Sequence, residues 1–465
     1  MIAYRIFRAL GQLALRWYYR DIEVRGLEHL PDDGPALVAG NHPNALVDAL
    51  VIGCTLERPV TLTAKATLLD NPITRVLLRL AGVVPLRRAS DVRTGGDGVL
   101  DPSRNANAFS AVLDTLAAGG LVLLFPEGKS HSEPSLAPLK TGLARIAIMA
   151  HEERNLLIPM VPIGLTFERK WEPRSRVLMQ IGTPIVVTDA IAQSANAVEQ
   201  LTDRIDAGLR QITLNFRTAD EARRIVAISS LVADLLTEFR PLGAPDPPLA
   251  NSVDIAQRAV SLAFEMSAVP SLMSRVDAFL QRLDAFQRLA DEHAILPSDI
   301  QMKTDLASGV QFAVRETVIA SVAIPLALFG RVNHWLPLRI ARNVAHRLSR
   351  TPDEPAMNTI VAGLVLVLAF YAVQISIVTW QLGWLPALAY AVLLPISASW
   401  DFRYADRIRR GIRRIRGFLQ FRRDPALQAQ LLEDARQLRE EAVALDSWVH
   451  HCQPADLLIE TSASR

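Results

Sequence analysis

The sequence predicts an α/β domain with a mostly parallel or mixed sheet flanked by helices. A helical region and a C-terminal transmembrane hairpin are expected to follow it. Three observations carry that expectation. Residues 35–190 alternate short apolar runs with stretches of helical periodicity. From 191 to 316 the turn-bounded runs give way to amphipathic repeats, and 359–400 holds two long uncharged stretches almost back to back.

The segment 1–34 begins "MIAYRIFRALGQLALRWYYR", with Arg5, Arg8, Arg16 and Arg20 set into an apolar pattern at helical spacing. It lacks the continuous apolar core and small-residue cleavage site of a signal peptide. It suits an amphipathic helix on a membrane surface, and equally a helix packed on a core. Within 35–190, "PALVAG", "VTLTAK", "VVPLRR", "LVLLFPEG", "LIPMVPIGLTF" and "RVLMQIGTPIVV" are short, rich in Val, Ile and Leu, and bounded by Gly or Pro. They read as buried strands. The helical stretches between them make the sheet mostly parallel. In 191–316 four amphipathic helices are expected, with the Pro/Gly-rich "RPLGAPDPP" at 240–248 as a linker.

The membrane-like part is 317–400. "TIVAGLVLVLAFYAVQISIVT" (359–379) is long enough to cross about 30 Å of hydrocarbon, and "GWLPALAYAVLLPISASW" (383–400) follows directly. Two spans so close together form a hairpin with both ends on one side. The shorter "TVIASVAIPLALFG" (317–330), interrupted by Pro325, fits a re-entrant element, part of a hairpin running to Pro337, or a buried helix. Segment 401–465 opens with nine arginines against two aspartates over 401–423. With "RIARNVAHRLSR" on the other flank, the positive-inside rule puts both ends of the hairpin in the cytoplasm. Such a run suits anionic lipid headgroups; its place directly after a span disfavours nucleic acid. A last amphipathic helix, about 424–449, is expected to self-associate or pack back.

Composition agrees with a membrane-associated chain. Half of the 465 residues are hydrophobic and mean hydropathy is +0.19, high for a soluble protein. The net charge of +2 hides the arginine run. Cys54 and Cys452 lie far apart, form no metal-ligand spacing and give no disulfide framework, so a reducing compartment is the default.

Chemistry concentrates at two stretches. In "GNHPNALVDAL" (40–50), Pro43 disfavours helical geometry at His42 and suits the first position of a helix, so His42 is expected in a strand-to-helix turn. From there it can meet Asp48. A carboxylate on one imidazole nitrogen fixes the tautomer and supports the imidazolium formed when the other nitrogen takes a proton. Alone, the spacing fits a capping or packing histidine better. The second stretch, "LVLLFPEGKSHSEPSLAPLKTG", places Phe125-Pro126-Glu127-Gly128 at a strand end, where Gly128 permits close backbone approach and Lys129, Ser130 and His131 supply donors. "GVVPLRR" ends a strand with Arg87 and Arg88, suited to a phosphate dianion. Ligands of open α/β sheets bind at strand ends. "GKS" at 128–130 lacks the upstream glycine of a P-loop, "HEERN" lacks the second histidine of a zinc protease, and no G-x-S-x-G occurs.

Together these stretches resemble the glycerolipid acyltransferase family, which includes lysophosphatidate and glycerol-3-phosphate acyltransferases (a PlsC-like domain). The family's four blocks resemble Asn41-His42 with Asp48, Gly82 to Arg88, Phe125 to Gly128, and Val161-Pro162-Ile163, in order across 35–190. The family's usual spacing is His–x4–Asp, whereas here five residues, Pro43 to Val47, intervene. One extra residue turns an aspartate by about 100° on an ideal helix, so the pairing requires His42 to lie off the helix. The longer spacing resembles the branch with bacterial and fungal glycerol-3-phosphate-type enzymes.

The resemblance implies that His42 takes the proton of an acceptor hydroxyl attacking an acyl thioester, and that Asp48 orients His42. It implies that Arg88, with Lys65, Arg87, Lys129 and Lys140, holds the acceptor phosphate, while Glu127 and Gly128 shape its site. The donor is acyl-CoA or acyl-carrier protein, a co-substrate; no metal or organic cofactor is implied. The acceptor is glycerol 3-phosphate or a lysophospholipid such as lysophosphatidate, in phospholipid synthesis. The expected setting is a membrane with a cytoplasmic-facing active site, membrane lipids as partners and no nucleic acid. Acylation of another lysolipid, or a non-catalytic scaffold that keeps the fold, stands as the alternative. Oligomeric state is not legible in the sequence.

Overall fold

The computed structural model of the chain describes residues 2–65, 75, 82–86, 103–236, 247–265, 270–349 and 355–451. They fall into two compact units, Met1–Asn215 with Pro337–Phe370, and Phe216–Leu336 with Tyr371–Arg465.

The first unit runs α1 (Ile2–Tyr18), β1 (Asp21–Arg25), β2 (Ala36–Gly40), α2 (Leu46–Thr55), β3 (Val60–Lys65), β4 (Val84–Leu86), α3 (Ser103–Ala117), β5 (Leu121–Leu124), α4 (Gly142–Arg154), β6 (Met160–Phe167), β7 (Arg176–Ile181) and α5 (Ala197–Ile212). Its seven strands form one mixed sheet in the order β1-β7-β6-β2-β5-β3-β4. All pairs are parallel except the β6–β7 hairpin. Every residue of β2 and β5 is buried, which is why both are apolar throughout instead of alternating.

Alternate side chains of the sheet feed two cores. Ala36 and Val38, with Leu121 and Leu123, face α1, α2 and Ala356 and Ile360. Leu37 and Ala39, with Val122 and Leu124, face α3, α4 and α5. Each fully buried Leu, Ile or Val contributes about 1.5–3 kcal/mol.

Three sequence expectations change here. Segment 1–34 is not one helix. It breaks after Tyr18, because "DIEVR" has period two and pairs in parallel with β7, from Asp21↔Arg176 to Arg25↔Gln180. The helix keeps an amphipathic character: Ala14, Leu15 and Tyr18 enter the core, while Arg5, Ile6 and Arg16 are exposed. The sheet unit extends past residue 190, because Leu201, Ile205 and Leu209 of α5 cover one sheet face. Pro43 is not the first helical residue; α2 begins only at Leu46.

The second unit is helical. It contains α6 (Ala219–Leu236), α7 (Leu249–Glu265), α8 (Pro270–Glu292), parts of α9 (Leu306–Leu348) and α10 (Pro355–Leu382), then α11 (Trp384–Arg423) and α12 (Pro425–His451). Most of the expected linker at 240–248 lies outside the described residues. Helix α12 packs back: Leu427, Leu431, Ala435 and Leu438 join Leu231, Phe279, Phe286 and Phe421 in one core. Beside it Arg414 is buried and ion-pairs with the buried Asp299 at 3.2 Å.

Helix α9 covers the whole of 317–337 and passes through both prolines, with a 50° bend between Ser321 and Ala323. Pro325 explains the bend, since its ring displaces the carbonyl four residues back, that of Ser321. Helices α10 and α11 are both long and apolar enough to cross a membrane. Gly383, at φ +86°, alone separates them. The arginine-rich segment 401–423 continues the apolar helix without a break as the second half of α11.

Candidate active site

Strands β2, β5, β3 and β4 are consecutive neighbours and all parallel, so their C-terminal ends lie in a row. His42 follows β2, Phe125–Gly128 follows β5, Lys65 ends β3, and Leu86 ends β4 as the register partner of Lys65. Arg87 and Arg88 come next in the chain and lie outside the described residues. For Lys65 the described structure covers the backbone only.

His42 and Asp48 meet. Nδ1 of His42 is 2.9 Å from Asp48 Oδ2, with the histidine 8% exposed and the aspartate fully buried. The same Oδ2 accepts the Asn44 backbone N–H at 2.8 Å. The longer spacing is absorbed by a turn, not by the helix: Ala45 sits at φ 48°, ψ −136°, a conformation that favours glycine. Asp48 thereby becomes the third residue of α2 and points back at His42. Burial pushes the Asp48 carboxyl above its ordinary pKa, against the hydrogen bonds from His42 and Asn44 that pull it down. Its Oδ1 has no partner among the described residues. The other histidine nitrogen, Nε2, has no hydrogen bond among the described residues, so it is the nitrogen open to a substrate.

The backbone and ring of His42 are held as firmly as its Nδ1. Its N–H donates to Glu127 Oε1 at 2.6 Å, and its carbonyl accepts the His131 N–H at 3.2 Å. Phe125 stacks on the imidazole with centroids 4.0 Å apart and planes 11° from parallel. A Cβ at Gly40 would come within 2.9 Å of that phenyl ring, so the residue beneath the stack has to be small.

Glu127 is 3% exposed, and its carboxylate also accepts the Ala137 N–H at 2.9 Å and the His131 Nε2–H. Gly128 turns the chain at φ +76°, and a Cβ there would touch the Lys140 stem. The Lys140 N–H closes the loop on the Pro126 carbonyl at 2.7 Å. The side chains of Lys129 and Lys140 are exposed beside this turn.

Sequence reasoning placed the dyad and missed what supports it. Asn44 is fully buried; its side-chain amide donates to the Lys170 carbonyl at 3.2 Å and lies 3.4 Å from the buried Tyr19 hydroxyl. Asn41 clamps β6, donating to the Leu165 carbonyl and accepting the Leu165 N–H at 2.7 Å. The available signal was two asparagines flanking the His-Pro pair at a strand end, where short amides commonly bond to backbone.

Residues 21–166 match the Acyltransferase family model. Glycerol-3-phosphate O-acyltransferase 2 of Saccharomyces cerevisiae is 34% identical over 24% of this chain and 16% of its own length. The human 1-acyl-sn-glycerol-3-phosphate acyltransferase alpha is 31% identical over 31% of this chain and 45% of its own. The chain thus spans less than half the length of these relatives. The crystal structure of the 1-acyl-sn-glycerophosphate acyltransferase PlsC from Thermotoga maritima overlaps 45% of this chain and 78% of its own, at 19% identity and a TM-score of 0.33. With its strand-end histidine and its Phe-Pro-Glu-Gly turn, the segment 21–166 matches the Acyltransferase model and is similar to parts of these glycerol-3-phosphate and 1-acyl-sn-glycerol-3-phosphate acyltransferases.

Proposed function

We propose that the protein transfers a fatty acyl group from an acyl thioester, acyl-CoA or acyl-carrier protein, to the hydroxyl of glycerol 3-phosphate or a lysophospholipid such as lysophosphatidate. The observation that carries this reading is the buried His42–Asp48 pair at the C-terminal end of the central strand β2, with Nε2 unpaired among the described residues. The Asp48 carboxylate accepts from Nδ1–H and leaves Nε2 unprotonated as the base. The acceptor oxygen attacks the thioester carbonyl while Nε2 takes its proton. The tetrahedral intermediate then loses the thiolate, breaking the C–S bond, and the imidazolium returns the proton to sulfur. General-base assistance of this kind is worth about 10²–10⁴ in rate.

In this proposal Arg88, with Lys65, Arg87, Lys129 and Lys140, binds the acceptor phosphate. Glu127 and Gly128 shape the acceptor side by fixing the turn. The reaction needs no metal or organic cofactor. Helices α10 and α11 anchor the chain in a membrane, where the acyl product partitions, with the arginine-rich half of α11 and the active site on the cytoplasmic face.

The test is an assay on purified membranes with labelled acyl-CoA against glycerol 3-phosphate, lysophosphatidate and other lysolipids, using His42→Ala as control. Transfer by the parent and its loss in the variant support the mechanism. Equal transfer by both refutes it, and transfer to no acceptor supports a non-catalytic scaffold.

A further inference from the structure

We propose that His131 is a positioning residue for His42, acting through Glu127, and that it does so as a hydrogen-bond donor and not as a second base. The proposal rests on the acyl-transfer reading for its kinetic arm only.

Three residues close a ring of hydrogen bonds. The His42 N–H donates to Glu127 Oε1 at 2.6 Å, the His131 N–H donates to the His42 carbonyl at 3.2 Å, and the His131 ring donates to Glu127 Oε2. The tautomer follows from a fourth contact. The Glu133 N–H donates to His131 Nδ1 at 3.2 Å, which makes Nδ1 an acceptor and leaves the hydrogen of the neutral ring on Nε2, facing Glu127. Both ring nitrogens are therefore engaged within the loop, and neither is left to take a substrate proton.

Glu127 is the centre of the ring. Its buried carboxylate receives three N–H donors, of which His131 supplies the only one from a side chain among the described residues. A buried carboxylate is held by its donors and moves when one is lost. If Glu127 turns away, the His42 N–H loses its acceptor. The peptide groups on either side of the His42 Cα are the two that this ring grips, so the direction of the Cα–Cβ bond, and with it the aim of Nε2, depends on the ring. A displacement of about 1 Å at a reacting group costs on the order of 10²-fold in rate.

The geometry also chooses the substitutions. A glutamine amide nitrogen occupies the place of Nε2 and can still donate to Glu127; an asparagine amide reaches only to the place of Nδ1. His131→Gln is therefore expected to keep kcat within about threefold of the parent. His131→Asn and His131→Ala are expected to lose about 10- to 100-fold in kcat, with KM for donor and acceptor unchanged within about twofold.

A second readout needs no turnover. Carbethoxylation of His42 by diethyl pyrocarbonate, followed by mass spectrometry of its peptide, reports how the ring is held. The rate should change in the Asn and Ala variants alike and stay at the parent value in Gln. If the parent transfers no acyl group, the proposed function fails while this labelling order still tests the ring. Equal behaviour of Gln and Asn in labelling overturns the proposal, as does a kcat loss matched by loss of thermal stability. Should the alanine variant not fold, the Gln/Asn pair decides alone.

Discussion

Replacing Asp48 with Asn separates the charge of the dyad from its shape. Asp48 Oδ2 accepts from both His42 Nδ1 and the Asn44 N–H, while Oδ1 meets no donor among the described residues. The asparagine can thus set its oxygen in the place of Oδ2 and its NH₂ in the empty position, keeping both hydrogen bonds and the tautomer. What disappears is the anion that, in the proposed mechanism, faces the imidazolium of the transition state. A unit charge pair about 4 Å apart at an effective dielectric of about 20 is worth about 4 kcal/mol. At about 1.4 kcal/mol per decade, kcat should fall about 10³-fold.

Stability should move the other way. Burial raises the Asp48 pKa in the folded state, so its contribution is greatest when the group is protonated and is lost as pH rises through the raised value. At pH 8 the ionised carboxylate therefore costs stability, and the amide removes that cost. Asp48→Asn should melt at or above the parent temperature at pH 8, with the gap closing as pH falls towards about 3, below the ordinary aspartate value, where the carboxyl is neutral in both states. Acyl-transfer kinetics and thermal unfolding of the same membrane-reconstituted samples check both. A rate loss under tenfold, or one accompanied by a clear drop in melting temperature, would refute the reasoning.

Ala45→Gly should raise the melting temperature, since the backbone at φ 48° stores about 1–3 kcal/mol that glycine largely releases, and acyl transfer should persist. Gly40→Ala pushes a methyl group to 2.9 Å from the Phe125 ring stacked on His42; it should lower kcat at least about tenfold and cost about 1–3 kcal/mol, read by kinetics and thermal unfolding. In the helical unit, Asp299→Ala leaves Arg414 buried without its carboxylate and should cost about 3–5 kcal/mol, seen as faster proteolysis of that unit. Glu433→Gln, which removes one of the two exposed carboxylate partners of Arg436, should leave proteolysis unchanged.

The strands that built the site were readable because β2, β5 and the first six residues of β6 are buried on both faces and so appear as unbroken apolar runs. Strand β1 escaped notice because "DIEVR" is short, charged and at the sheet edge; its partner β7 is remote in sequence. The contact of His42 with Asp48 was expected from a strand-to-helix turn, although the helix begins three residues later than Pro43 suggested. The device that reconciles the extra residue, the strained Ala45, was not, since alanine carries no signal for positive φ. Glu127 was expected as a residue shaping the acceptor site; its three donors come from backbone and a histidine four positions on, contacts that only a folded loop brings together. The predicted phosphate ligands Arg87 and Arg88 fall outside the described residues.

The pairing of β1 with β7 also fixes an order of events during synthesis. The Tyr18 hydroxyl donates to the Trp171 carbonyl, 153 residues further on, and β1 finds its strand partner only when 176–181 exist. At about 5–20 residues per second the first helix waits roughly 8–30 s after emerging from the ribosome before its docking site is complete. Throughout that interval Leu15, Tyr18 and Tyr19 lack the part of their core that β7 supplies, Val177, Met179 and Ile181. The start of the chain, made first, is among the last parts of the sheet unit to be locked in place, and a nascent chain stalled before residue 176 should leave it open to protease.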